Sequence, residues 1–441
     1  MSPLSADPAP CVRRTLGDWL RWQESLHPTE IELGLERCRA VAGRLGLLKP
    51  AATVITVAGT NGKGSTVAML DTIYRLAGYR VGTYTSPHLL RYNERIKLDG
   101  VPVADDTICA AFEQVETARQ DTPLTFFEFG TLAALVIFAH AQLDLVILEV
   151  GMGGRLDAVN IIDPTVAVIA TLDIDHVEWL GHTREAIARE KAGIMRPSTP
   201  AVCSDPAVPQ SLLDCATTLG AALSLLGVDY HFVPTEAGWT WWSGDELLEN
   251  LPRPALLGAY QLRNAAGVLK VVSLLQAARP VSAEQIANGL LQVSLRGRFQ
   301  RLPGAVEVIF DVAHNAQAVG AFVANLEALP ACPRTHVVLG MLKTKDHLSV
   351  IRQLAARVDC WHLATVDAAR GARGAELLDT LRQLQIKTPA TAYDSVAAAW
   401  AAARQEATPG ERILVVGSFV TVGEVLRLVE TPAPAMAAVS A

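Results

Sequence analysis

No stretch of the chain is strongly basic, and the formal net charge is −7 over 441 residues. Nucleic acid is therefore not an expected partner, because a phosphate backbone demands clustered lysine and arginine. A local basic pocket for a small anionic substrate stays open. No C-x-x-C pair occurs among the seven cysteines, which scatter from Cys11 to Cys360. Neither a zinc site nor a disulfide framework is expected, and the thiols read as reduced and cytoplasmic. Met1 to Pro10 lacks the basic-then-apolar order of a secretory leader. The most apolar window, Phe129 to Leu148, is interrupted by His140, Gln142 and Asp144, so it reads as a buried helix and strand, not a membrane span. There is no short-period repeat, and no long heptad or edge strand calls for a dimer, which leaves a monomer as the expectation. Both ends, including Pro432 to Ala441, read as frayed tails.

What is present is the composition of a globular protein, 50% hydrophobic and 19% charged, long enough for two or three domains. The most informative stretch runs from Val54 to Thr66. A β-branched run enters the turn Gly59-Thr60-Asn61-Gly62-Lys63-Gly64-Ser65-Thr66, and a helix follows. Such a turn aims backbone N–H groups into one concavity, and the helix N-terminus adds positive dipole. Lys63 would neutralise phosphoryl oxygens, and Ser65 or Thr66 would offer a hydroxyl to Mg²⁺. The spacing departs from the usual phosphate-loop pattern, since only Thr60 and Asn61 separate Gly59 from Gly62.

Short apolar runs alternate with amphipathic segments. Strands are expected at Val54–Ala58, Arg80–Thr85, Leu145–Val150, Val166–Leu172 and Ala201–Ser204, with helices at Gly64–Ala77, Asp105–Arg119, Phe127–Gln142 and Arg184–Ile194. The pattern predicts an α/β fold with a parallel sheet covered on both faces. Pro206 to Glu249 reads as loop-rich, with a half-exposed antiparallel hairpin around Trp239, Trp241 and Trp242. Helices follow at Gln261–Ala277 and Ala283–Val293. The alternation then restarts, with strands at Val306–Phe310, Val337–Leu339, Cys360–Ala364 and Leu414–Val416. Between them lie helices at Asn315–Leu329, Ala375–Leu384, Ser395–Arg404 and Val420–Leu428. This predicts a second α/β domain, divided from the first at 297/298 by the hinge Arg296-Gly297-Arg298.

Ligands of a parallel sheet gather beyond the carboxyl ends of its strands. Glu149 ends one strand, Asp173, Asp175 and His176 follow another, and Ser86 and His88 follow a third. Mg²⁺ prefers oxygen ligands, so Ser86, Glu149 and a phosphate oxygen make a sensible site, with His176 suited to a second, less demanding position. Gly151 to Asp157 presents Arg155 and Asp157 near Glu149. Arg184 and Arg196 read as solvated surface charges.

Several segments stand in a telling order: Ala58–Thr66, Thr85–Leu89, Leu148–Asn160, Asp175-His176, Arg189-Glu190-Lys191-Ala192-Gly193-Ile194, Arg298-Phe299-Gln300 and Asp311-Val312-Ala313-His314-Asn315. Together they resemble the folylpolyglutamate synthases of the Mur ligase superfamily, from about Leu16 to Leu428. The resemblance implies a Mur-ligase-like P-loop ATPase domain followed by a smaller Rossmann-like domain, with ATP and glutamate between them. It implies that Thr60, Asn61, Gly62, Lys63, Gly64 and Ser65 cradle ATP, completed by Asn264, Arg298 and Asp311. Ser86, Glu149 and His176 would bind Mg²⁺, His314 would serve the nucleotide or glutamate pocket, and Lys191 would be the carbamylated lysine. A carbamate turns a cation into an anion that can bridge metals or orient a ligand.

The branch of the family that glutamylates both dihydropteroate and tetrahydrofolates is implied by three further segments. Glu30, Ile31, Glu32 and Leu33 resemble its pterin-side segment, and Thr125, Phe126, Phe127 and Glu128 with Leu156, Asp157 and Ala158 resemble the rest of the pocket. An aromatic ring such as Phe127 can stack on a flat pterin while Asp157 accepts from its N–H groups; one of Phe126 and Phe127 is expected simply to pack in the core. The expected reaction is ATP-driven amide formation through an acyl phosphate. The alternatives are an enzyme elongating folates alone and a nucleotide switch without ligase chemistry. A cell-wall ligase, which would normally require an additional N-terminal UDP-binding domain, is the less expected reading because few residues precede Gly59.

Overall fold

A computed structural model describes residues 14–29 and 31–430. Glu30 and the two tails lie outside the described residues. Eight strands form the first sheet: β1 (Thr53–Ala58), β2 (Val81–Tyr84), β3 (Ile96–Leu98), β4 (Val101–Pro102), β5 (Leu145–Glu149), β6 (Val166–Ile169), β7 (Pro200–Cys203) and β8 (Ala222–Leu225). Their spatial order is β4-β3-β2-β5-β1-β6-β7-β8. All neighbours from β2 to β8 run parallel, and the short β3 and β4 turn back antiparallel at one edge.

The central strands are apolar throughout because both faces are buried. Alternate residues of β5 show how: Leu145 and Ile147 enter one core, Val146 and Leu148 the other. Helices Leu16–Leu26, Glu36–Arg44, Asp105–Arg119 and Phe126–His140 cover the Val146 face. Helices Lys63–Leu76, Ala259–Leu275 and Ala283–Gln292 cover the Ile147 face. Ile147 is fully buried there, so Ile147→Ala is expected to cost about 2–5 kcal/mol, read as a lower midpoint in equilibrium urea unfolding.

A three-stranded antiparallel sheet follows, β9 (His231–Pro234), β10 (Trp239–Ser243) and β11 (Glu246–Leu251). The expected antiparallel hairpin is present and half-exposed, with a third strand added: Val233 and Leu247 face outward. Trp239 and Trp241 are fully buried against the Ile147 face, and their indole N–H groups donate to Pro252 O at 2.9 Å and Ala266 O at 3.1 Å. Two residues apart on a strand, they share a face. Only Trp242 stays half-buried, stacked on His231. The expectation that 206–249 is loop-rich is corrected: helix Gln210–Leu219 forms, and β8 adds a parallel strand to the first sheet. Arg184 and Arg196 are likewise not free surface charges. Arg184 donates to Leu172 O, Asp205 and Ala207 O, and Arg196 to Asn160, Gly193 O and Asp163.

After Arg298 a six-stranded sheet forms in the order β12-β13-β17-β14-β15-β16. Its strands are β12 (Gln300–Leu302), β13 (Glu307–Asp311), β14 (Thr335–Leu339), β15 (Cys360–Ala364), β16 (Ala390–Tyr393) and β17 (Arg412–Val416). Only the β12–β13 pair is antiparallel. Helices cover both faces, so the chain is α/β throughout, and one cavity is lined by residues from both halves.

Candidate active site

The cleft is built first by the turn after β1. Gly62 has φ +88°, and a Cβ there would stand 2.7 Å from Asn264 Oδ1; a side chain is excluded by conformation and by space. Gly62 caps helix Lys63–Leu76, so free N–H groups and the helix dipole open into the cleft. Thr60 pins the turn: its N–H donates to Thr171 O at 2.7 Å, and its hydroxyl donates to Asp173 O at 2.9 Å. Lys63 Nζ bends over the turn to donate to Gly59 O at 3.0 Å and Thr60 O at 3.3 Å.

Glu149, at the end of β5, is buried and accepts from the Ser86 N–H at 3.2 Å. Burial pushes its carboxyl up, and the Lys63 ammonium opposes that. A buried carboxylate with this little fixed compensation is a good seat for a cation. His176 takes a left-handed backbone, φ 51°, at the mouth of the cleft. The residue keeps exposed surface, but partial loss of hydration, then the Lys345 ammonium, holds its imidazole below the ordinary value. It is therefore neutral and able to bind a metal at pH 7.

Thirteen of the expected residues line one cavity of about 340 Å³: Thr60, Asn61, Gly62, Lys63, Gly64, Ser65, Ser86, Glu149, His176, Asn264, Arg298, Asp311 and His314. Thr66 does not line it, and the Ser65 hydroxyl accepts from Gln261 Nε2 at 3.2 Å. From the second sheet come Arg298, whose guanidinium lies 5.0 Å from the Phe419 ring centroid, and Asp311, which accepts from the Phe299 and Ala313 N–H groups at 2.8 Å each. His314 is aimed by Val312 O at 2.9 Å on Nδ1 and by Asp175 Oδ2 at 3.4 Å on Nε2.

Several residues of this junction went unassigned in the sequence. Asn61 Nδ2 donates to Gln317 Oε1 at 2.7 Å and to Asn315 Oδ1 at 3.2 Å. Asp175 accepts from Lys345 Nζ at 2.6 Å and Asn315 Nδ2 at 3.2 Å. Burial alone would raise the Asp175 carboxyl, but the His314 hydrogen bond and the Lys345 ammonium outweigh it and hold the group well below the carboxylate range. These pairs clasp the two sheets together across the phosphate turn.

Lys191 stands behind the turn, outside the cavity lining, on helix Arg184–Ala192. Its Nζ donates to the same Gly59 carbonyl as Lys63, at 3.0 Å. It pairs with neither Glu190, which holds Arg155, nor Glu185, which accepts from Ser211. Burial, helped by the Lys63 charge, brings its ammonium down to about 7.

The remaining expected residues gather on the other face of the first sheet. Phe127 lies beside Tyr84, ring centroids 5.8 Å apart, and directly behind Gly151, where a Cβ would meet its ring at 2.6 Å. Phe126 points elsewhere, edge-on to Tyr92. Thr125 and Glu128 form a reciprocal cap on helix Phe126–His140, and Glu128 also meets Arg37 at 3.2 Å. Asp157 accepts from the Met152 N–H at 2.8 Å and the Val159 N–H at 3.1 Å, and burial pushes its carboxyl up to about 6. The Gly34 N–H donates to Leu156 O at 3.3 Å, which brings Ile31, Glu32 and Leu33 alongside; Glu32 holds Arg37, and Ala158 packs in the core. Arg155, expected near Glu149, instead reaches Glu190 at 2.9 Å on the surface.

Residues 57–205 match the Mur ligase middle domain and residues 297–419 the Mur ligase glutamate ligase domain, so fold and cleft are those of a Mur ligase. The dihydrofolate synthase/folylpolyglutamate synthase of Escherichia coli (strain K12) is 44% identical over 96% of this chain and 97% of its own. That of Haemophilus influenzae is 41% identical over 94% and 98%. The chain belongs to the dihydrofolate synthase/folylpolyglutamate synthase family. The E. coli enzyme solved with DHPP and ADP superposes with a TM-score of 0.89 at 44% identity, over 96% of this chain and 99% of that one. A bifunctional relative solved with Mn, AMPPNP and L-glutamate gives 0.87 at 43%, over 95% and 98%.

Proposed function

We propose that the chain is an ATP-dependent ligase that adds L-glutamate to dihydropteroate, making dihydrofolate, and to the γ-carboxylate of tetrahydrofolates, making folylpolyglutamates. What supports the reading most is one cavity lined jointly by Lys63, Glu149 and His176 before residue 297 and by Arg298, Asp311 and His314 after it. Residues 1–297 then carry the ATP and pterin sites, and 298–441 bind glutamate and complete the nucleotide site. The enzyme works as a cytoplasmic monomer on small molecules; no helix among the described residues is long and apolar enough to cross a membrane.

The acceptor carboxylate attacks the γ-phosphorus of ATP, giving an acyl phosphate and ADP. The glutamate amine then attacks the carbonyl carbon, and phosphate leaves. Thr60 to Ser65 hold the phosphates through backbone N–H groups, and Lys63 meets the charge that spreads over the transferring oxygens. Asn264, Arg298 and Asp311 fix the rest of the nucleotide. His314, oriented by Asp175, faces the glutamate. Ser86, Glu149 and His176 would hold two Mg²⁺ ions, which when bound neutralise phosphoryl oxygens. The clasp of Asn61 and Asp175 on Gln317, Asn315 and Lys345 keeps acyl phosphate and amine aligned and excludes the water that would waste ATP.

Phosphate release is measured with ATP, Mg²⁺ and glutamate, adding dihydropteroate or tetrahydrofolate separately. The expected result is turnover with either acceptor and none without. Turnover with tetrahydrofolate alone removes the dihydrofolate synthase activity, and acceptor-independent turnover overturns the ligase. Phe127 and Asp157 are assigned to the pterin. A hydrogen bond to a charged group contributes about 1.5–3 kcal/mol, so Asp157→Ala should slow the dihydropteroate reaction about ten- to a hundredfold. The tetrahydrofolate reaction should change far less. Equal losses refute the assignment.

A further inference from the structure

The second sheet carries a group of side chains that ligation leaves unused. His336 is second in β14 and His362 is central in β15, on adjacent parallel strands. Both lie on the face covered by helix Val396–Glu406, and both are buried. Glu406, the last residue of that helix, closes over them from the exposed side. The group sits toward the amino ends of the strands, whereas Asp311 and His314 reach the catalytic cleft from the carboxyl end of β13.

The geometry points to a site for a divalent transition metal of the zinc class, held by His336 Nδ1, His362 Nε2 and the Glu406 carboxylate. Two imidazoles and one carboxylate are a donor set suited to such ions. Ligand atoms about 2.0–2.1 Å from a tetrahedral metal lie about 3.3–3.4 Å apart. His336 Nδ1 and His362 Nε2 are 3.2 Å apart, His362 Nε2 and Glu406 Oε2 are 3.8 Å apart, and the three ligand atoms all lie within 4.8 Å of one another. Rotation of the exposed Glu406 side chain closes the longer gap.

The outer partners strengthen the assignment. His336 Nε2 lies 3.1 Å from Glu411 Oε2 and His362 Nδ1 3.4 Å from the Tyr393 hydroxyl. When Glu411 accepts from Nε2–H, the His336 lone pair is fixed on Nδ1, facing the site, as carboxylates do behind metal-binding histidines. A direct N–H···N contact at 3.2 Å joins the two rings, whose planes are 25° apart with centroids 5.5 Å apart. To admit the ion, the His362 proton moves from Nε2 to Nδ1, where the Tyr393 oxygen accepts it, and both rings tilt. No proton is lost in this exchange.

The test uses the full chain carrying Glu149→Gln and His176→Ala, which removes the proposed catalytic metal seat. After treatment with a chelator it is titrated with Co²⁺, followed by visible absorption and calorimetry. One Co²⁺ per chain with the intense visible bands of four-coordinate cobalt, displaced by Zn²⁺, is expected. His362→Asn and Glu406→Gln should each weaken binding at least tenfold, and Glu411→Gln about ten- to a hundredfold. Glu406 is at the surface, so Glu406→Gln keeps the test informative if the buried histidine variant fails to fold. In the otherwise unaltered chain, Glu406→Gln should leave the Mg²⁺-dependent ligase rate unchanged. No bound Co²⁺, a six-coordinate spectrum, or binding that survives both His362→Asn and Glu406→Gln undiminished overturns the site.

Discussion

Lys63→Met is expected to lower kcat/KM with dihydropteroate and with tetrahydrofolate alike by about 10³-fold, the upper end for loss of one transition-state stabiliser. Lys63 hooks over the phosphate turn through Gly59 O and Thr60 O, so its ammonium is held at the turn before nucleotide arrives. Methionine keeps the length and apolar stem and removes the charge. Folding should not suffer, because burial works against the charged form of Lys63 in the native state. Steady-state kinetics with both acceptors, beside a thermal melt, check this. A loss confined to one acceptor, or activity within tenfold of the parent, contradicts the role.

Lys191→Arg should be nearly as damaging, about 10²-fold or more if the residue acts as its carbamate in stabilising the phosphoryl transfer. Carbamylation requires a neutral amine, and arginine never supplies one. With its value near 7, Lys191 is about half neutral at pH 7 and about one-tenth neutral at pH 6. Activity should fall over that interval and recover when bicarbonate is added, whereas the arginine variant should not respond to bicarbonate. The same shift has a sign in stability. Between about 7 and the ordinary lysine value of 10.5 the unfolded chain binds the extra proton, so this group's contribution to native stability rises with pH across that window. Lys191→Met, which removes the buried charge, separates a folding defect from a chemical one. An arginine variant retaining a tenth of the activity, with no bicarbonate effect on the parent, contradicts the assignment.

Much of this was legible in the sequence because the informative residues are local. The run Val54–Ala58 is apolar on both faces, and Gly59 to Lys63 follows at once, so strand, turn and helix could be read together. Glu149 and Asp175-His176 were visible as polar groups ending apolar strands. The stretch 206–225 was misread because helix Gln210–Leu219 opens with Pro209 and closes on Gly220 at φ 68°, and those end residues resemble loop composition. The short β3, β4, β12 and β16 lie at or next to sheet edges and are too brief for an apolar alternation to show in the sequence.

The residues missed at the site share one cause. Gln317 and Lys345 matter only because docking the second sheet brings them to Asn61 and Asp175. Nothing local marks Lys345 as different from a surface lysine. Asp157 carried two signals at once: it anchors the 152–159 loop through Met152 and Val159 N–H groups, and it lies on the face where the pterin is assigned. A sequence pattern does not separate those roles, and the unequal response of the two acceptor reactions does.

On the proposed mechanism, ATP activates a carboxylate in the shared cavity before glutamate attacks. Dihydropteroate labelled with ¹⁸O in its carboxylate, incubated with the chain, ATP, Mg²⁺ and glutamate, tests it directly. Mass spectrometry of the released phosphate should find one ¹⁸O per dihydrofolate formed, because the oxygen that attacked phosphorus leaves with it. Dihydrofolate formed with no label in phosphate would contradict the acyl phosphate and the role given to the cavity.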